Sequence, residues 1–304
     1  MTEGLIAELP ELINLKRFAH RVHYKPENQR QRAGNHLSRI RGRGMDFSEV
    51  RHYQAGDEIR HMEWRVTART GRPHIKVYQE EKERPVVILT DFSPSMYFGT
   101  RIAFKSVIAA RLAALIAWTA IKQGDRVGGL FYSLDNHSEF IPRGRESGVL
   151  PLLASLSDYT RQYIHKEKAD SVVSLSDELL RLRRVAKPGS MLVLISDFYQ
   201  MNQECEKHLN RLRAHNDILA YHVCDILELA PPKPALYAIT DGKREMMLDT
   251  MNPQVWNDYQ AFCENQRLNL QAQFKRLQIQ YTQITAEADL AELVRRTFPG
   301  RSRG

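Results

Sequence analysis

Apolar positions along the chain recur in two shapes. Short β-branched runs bounded by turn residues, at 85–90, 126–132, 191–197 and 217–225, read as buried strands. Between them lie longer helical segments. The stretch 101–123 is rich in alanine and leucine and apolar nearly all round, which predicts a buried helix stopped by Gly124-Asp125. Further helices are expected near 145–156, 172–185 and 202–214. Strands alternating with helices imply an α/β fold with a doubly wound, mostly parallel sheet. Beyond 226, a stiff proline-rich connection (226–234) leads to a strand pair turning at Asp241-Gly242. A long helix over 253–277, a last strand at 280–284 and a last helix over 289–297 complete the pattern.

The first 84 residues have their own pattern. Leu9, Leu12, Ile13, Leu15, Phe18 and Ala19 are spaced for an amphipathic helix over 9–22. The segment 34–44 is rich in glycine and arginine and reads as an accessible loop suited to an acidic partner. A strand at 47–53 follows, then Asp57 as the N-cap of a short helix carrying Ile59, Met62 and a buried, structural Trp64. Residues 74–80 alternate as a strand, and only 81–84 separate them from Pro85, too few for a free linker. The expected organisation is an α+β accessory module (1–84) packed on a main domain (85–298), with a disordered basic tail (299–304).

Composition narrows the class. No apolar run among the 304 residues approaches the length of a membrane-spanning helix, and acids stand where a signal peptide needs bases. Cys205, Cys224 and Cys263 are few, odd in number and widely spaced, so neither a disulfide framework nor a zinc site is expected. A reduced, cytoplasmic protein without membrane insertion follows. Residues 1–84 hold 17 Lys and Arg against 12 Asp and Glu, part of a net charge of +8. Acids are interleaved with those bases, so internal pairing is favoured over phosphate binding, which requires clustered charge of one sign. Nucleic-acid association through the arginine-rich segment remains the alternative reading.

Chemistry concentrates where the strand at 85–90 ends, in Asp91-Phe92-Ser93-Pro94-Ser95. One carboxylate and two hydroxyls make hard oxygen ligands, which suit Mg²⁺ or Ca²⁺ over a soft metal. Ligands of open α/β sheets bind outside the carboxyl ends of the strands, and two later strands also end in carboxylates, Asp197 and Asp225. Asp125 and Asp225 read as caps. No nucleophile elbow, phosphate-binding loop or dinucleotide fingerprint is present, and the eleven histidines include no convincing helical ligand pair. Catalysis is not expected.

The run SRIRGRGMDFSEVRHYQAGDEIRHMEWRVTARTGRPHIKVYQEEKERPVVILTDFSPSM, with GDRVGGLFY, LVLISDF and LAYHVCDILELA, resembles the bacterial DUF58 family, a group of von Willebrand factor A-like proteins. The resemblance implies a cytoplasmic, Rossmann-type domain working beside a MoxR-type AAA+ ATPase. It also implies a metal-ion-dependent adhesion site. Ser93 and Ser95 would bind Mg²⁺ (or Mn²⁺ or Ca²⁺) directly, Asp91 would act through water, and Asp197 would complete the acidic set. The usual threonine is missing from the loop at 168–177; Ser174, or less favourably Ser171, would supply the hydroxyl. One coordination position would stay open for a partner's carboxylate. The function expected is a non-enzymatic, metal-dependent adaptor that helps assemble or activate an unknown client protein.

Overall fold

The run that opens at Pro85 is buried from Val86 onward, as a central strand covered on both faces must be. A computed structural model of the chain describes residues 4–19, 45–80, 83–133, 135–162, 173–240 and 245–298. In order these form α1 (Leu9–Asn14), β1 (Met45–His52), α2 (Trp64–Thr70), β2 (His74–Glu80), β3 (Pro85–Phe92) and α3 (Lys105–Lys122). Then come β4 (Arg126–Ser133), β5 (His137–Arg143), α4 (Glu146–Gln162), α5 (Leu175–Val185), β6 (Met191–Ser196) and α6 (Gln203–Arg213). The remainder is β7 (Asp217–Val223), α7 (Ile226–Leu229), β8 (Leu236–Thr240), β9 (Glu245–Asp249), α8 (Pro253–Arg276), β10 (Gln280–Ile284) and α9 (Leu290–Thr297).

Six strands make one sheet in the order β10-β7-β6-β3-β4-β5, all parallel except the edge strand β5. This is the doubly wound, mostly parallel α/β architecture that the sequence implied. Side chains of β3 alternate between the two faces. Val86 and Ile88 join the core of α3 and α4, while Val87 and Leu89 join that of α5, α6 and α8. The strand order reverses between β3 and β6. Their following helices, α3 and α6, leave to opposite faces, and a crevice results at the carboxyl ends of those two strands.

The chain divides into two units. Residues 4–19 group with 84–298, and 45–80 with Glu83 form the second. The division therefore falls differently from a boundary at 84/85. Ala7 and Leu12 are fully buried in the large unit's core, and the Trp118 indole N–H donates to the Leu12 carbonyl at 3.1 Å. In the second unit β1 and β2 pair antiparallel, and Arg51 grips Asp57 with two hydrogen bonds of 2.8 and 2.7 Å.

Several local expectations are corrected. The main helix starts at Lys105, four residues late, because Phe104 at its N-cap has extended backbone. The amphipathic helix from Leu9 ends at Asn14 and continues as a 3-10 turn. Asp57 is not an N-cap: it pairs with Arg51 and accepts the Gln54 N–H instead. Trp64 opens α2 but stands 65% exposed, and Ile59 is 64% exposed. Neither is the core residue that an apolar count suggests. β5 was unforeseen, its apolar signal being interrupted by Pro142, which an edge strand tolerates. Its partner strand requires Gly128, where a Cβ would meet the Phe140 carbonyl oxygen at 2.4 Å. The proline-rich connection opens with α7 instead of running as a plain link. The arginine-rich loop at 34–44 and the tail at 299–304 lie outside the described residues. No helix among the described residues is long and apolar enough to cross a membrane.

Exposure at Trp64 and burial at Leu112 give opposite expectations. Trp64→Ala should move the unfolding free energy by less than about 0.5 kcal/mol. Leu112→Ala, in the fully buried face of α3, should cost about 2–5 kcal/mol in the same urea titration. A comparable loss at Trp64 would show that its indole is covered in solution.

Candidate metal centre

Parallel strands bring their carboxyl ends to one edge, so Asp91 at the end of β3 and Asp197 just past β6 meet across the switch point. Both are buried. Asp91 accepts the Ser93 N–H at 2.7 Å through one oxygen and the Ser196 hydroxyl at 2.6 Å through the other. Ser196 in turn accepts the Phe198 N–H at 2.9 Å, locking the β6 loop to β3. The Ser93 and Ser95 hydroxyls lie 3.2 Å apart. Burial, together with the neighbouring Asp197 charge, pushes the Asp91 carboxyl up to about 6.

A residue the sequence reading passed over dominates the other half of the site. Lys105, the first residue of α3, is 2% exposed. Its ammonium donates to Asp197 at 2.9 Å and to Glu228, in α7, at 2.5 Å. Burial works against the charged Asp197, but the Lys105 ammonium outweighs it, with help from the Ser95 hydroxyl and the Tyr199 N–H. The Asp197 carboxyl is thereby held below the usual carboxylate range. Lys105 itself is raised above an ordinary lysine despite burial, by its two carboxylates. The signal in the sequence was a lysine at the head of a helix that is apolar nearly all round. A charge is placed there only with partners.

The second cap extends this network. Asp225 accepts from the Thr100 N–H and hydroxyl at 3.0 and 2.9 Å, and from the Leu227 N–H at 3.0 Å. Glu228 closes a capping box onto the Asp225 N–H at 2.8 Å. Asp225 is thus structural, as expected, and so is Asp125, which accepts the Arg84 N–H at 2.9 Å.

Four of the five expected site residues, Asp91, Ser93, Ser95 and Asp197, come together. Ser174 does not join them. Its hydroxyl caps α5, donating to Asp177 at 2.7 Å and accepting the Asp177 N–H at 3.2 Å, and no hydrogen bond links it to the other four. Ser171 lies outside the described residues.

The donor set fits a hard divalent cation. Lys105 satisfies Asp197 and Glu228, but Asp91 has only neutral donors and still feels the Asp197 charge. The buried Tyr132 hydroxyl lies close enough to Asp91 to sense its charge, and is one more neutral group beside that carboxylate. Two hydroxyls and two carboxylates would hold the ion, with water completing its shell. No cluster of three or more His, Cys, Asp or Glu side chains among the described residues is arranged for a metal. The four candidate donors are all oxygens, two of them hydroxyls, which suits a hard ion over a soft one.

The buried ammonium has a direct energetic consequence. Lys105→Met, without added cation, should lower stability by about 3–5 kcal/mol, because Asp197 and Glu228 lose their counter-charge in a buried setting. Urea unfolding measures it. A loss under about 1 kcal/mol would mean that water screens the pair.

With the geometry in place, the chain can be compared with known proteins. An uncharacterised Mycobacterium bovis protein, Mb1516, is 27% identical over 227 residues, covering 74% of this chain and 70% of that protein. Among solved structures, an aerotolerance-related membrane protein from Bacteroides fragilis is 13% identical with a TM-score of 0.42, over 70% of this chain and 98% of that one. A von Willebrand factor type A protein from Catenulispora acidiphila is 12% identical with a TM-score of 0.37, over 72% of this chain and 42% of that one. The family model described as "Protein of unknown function DUF58" matches residues 49–269, so the chain belongs to the DUF58 family.

Proposed function

We propose that this protein is a non-enzymatic, cytoplasmic protein-binding adaptor whose recognition site is a divalent cation, Mg²⁺ in the first instance, held by Asp91, Ser93, Ser95 and Asp197. The observation that carries the reading is the convergence of those four hard-oxygen side chains at the switch point, with no ammonium partner for Asp91 among the described residues. A hard cation keeps exchangeable positions in its shell, so a carboxylate from a partner can complete it. The metal then acts as a point of attachment and not as a Lewis acid. The resemblance set out above supports a MoxR-type AAA+ ATPase as the machine served, with an unknown client protein as the object of assembly or activation.

The test uses the full chain and a MoxR-type ATPase from the same organism, with binding followed by biolayer interferometry in constant Mg²⁺. A Ser93→Ala, Ser95→Ala double variant should bind at least about tenfold more weakly, a change of about 1.4 kcal/mol. Calorimetry on the same variant should show loss of Mg²⁺ and Mn²⁺ binding. Unchanged cation affinity would reject the site, and unchanged ATPase affinity beside lost cation binding would reject the metal-dependent partnership.

A further inference from the structure

A cavity of about 540 Å³ opens directly beside Asp197, between the loop after β6, α7 and α8. Its size is that of a small-ligand site. Phe198, Leu227, Tyr259 and Leu270 form apolar wall, and the rim carries Tyr199 at 76% and Phe262 at 58% exposure. Large aromatics left in water at the mouth of a cavity mark a contact surface.

The charges around the cavity decide what it takes. His222 lies in the lining, and burial pushes its imidazole down to about 4, so it is neutral near pH 7. Asp197 and Glu228 are both engaged by Lys105. The inner surface therefore offers an entering group an apolar wall edged by the neutral amides of Gln266, Asn269 and Gln273. Arg267 is different. It lines the cavity with its guanidinium 3.8 Å from Glu264, a loose pairing on an exposed part of α8. An acidic neighbour of the entering group would be drawn there.

We infer that this cavity receives a large apolar side chain, aromatic by preference, from the same partner segment whose carboxylate completes the cation site. The recognised motif is an acidic residue next to an apolar anchor. The inference rests on the cation-dependent reading above for its acidic half, while its apolar half stands on the cavity alone. Asp197 is the hinge between them, since it both faces Ser95 and lines the cavity.

Three synthetic peptides serve as probes: Gly-Ser-Asp-Trp-Ser-Gly, the same with Ala for Trp, and the same with Asn for Asp. Titrated against the full chain by calorimetry with Mg²⁺, at concentrations reaching about 1 mM, the Asp-Trp peptide should bind about tenfold or more tightly than the Asp-Ala peptide. Leu270→Trp, which fills the cavity, should erase that preference and leave Mg²⁺ affinity unchanged. Phe262→Ser, at an exposed rim position, should reduce the preference and keeps the test valid if the filled variant misfolds. Equal binding of the Asp-Trp and Asp-Ala peptides, or no measurable binding of either, overturns the cavity assignment. If Mg²⁺ fails to bind but the preference for Trp persists, the cavity stands and the cation reading falls. An Asn-Trp peptide that binds as well as Asp-Trp in Mg²⁺ overturns the coupling of the two halves.

Discussion

The Lys105 ammonium ties three separate parts of the chain into one edge. It belongs to the first turn of α3, grips Asp197 after β6, and grips Glu228 in α7 after β7. A buried ammonium alone in a protein interior is so costly that its carboxylates cannot drift away without a large free-energy penalty. That requirement holds the start of α3, the loop after β6 and α7 together. The capping box between Asp225 and Glu228, and the bonds from Thr100 to Asp225, extend the same restraint to the loop after Ser95.

Because Lys105 neutralises one flank, the opposite flank is defined by what it lacks. Asp91 is buried, accepts only neutral hydrogen-bond donors, and is raised toward 6 by its surroundings. Ser93 and Ser95 stand beside it with their hydroxyls turned to each other. On the proposed reading, the built-in ammonium closes one half of the site, and a divalent ion would settle the charge left on the other. Asp197 is shared by both halves, so any cation beside it competes with the ammonium for the same carboxylate. That competition favours a weakly held, exchangeable ion over a structural one.

Much of this was legible in the sequence. Buried β-branched runs ending in carboxylates gave the strand order's raw material, and Asp91-Phe92-Ser93-Pro94-Ser95 pointed to the candidate site because turn residues at a strand end are placed by the sheet itself. What escaped depends on long-range contact. Lys105 drew no reading, because nothing local shows that Asp197 and Glu228, 92 and 123 residues away, converge on it. Ser174 looked like a ligand, but an Asp three residues later made it a helix cap, a local bond that wins without help from the tertiary fold. Trp64 failed for the opposite reason. Its size suggested a core, but it stands 65% exposed at the start of the small α2.

The most direct measurement is the anomalous scattering of Mn²⁺ soaked into crystals of the full chain. If the open half of the site holds a hard cation, one strong peak will lie at about 2.1 Å from the Ser93 and Ser95 hydroxyls. Lys105 will remain on Asp197 and Glu228. A peak absent from that position at millimolar Mn²⁺, with Ser93 and Ser95 still hydrogen-bonded to each other, would contradict a cation-dependent recognition site in this protein.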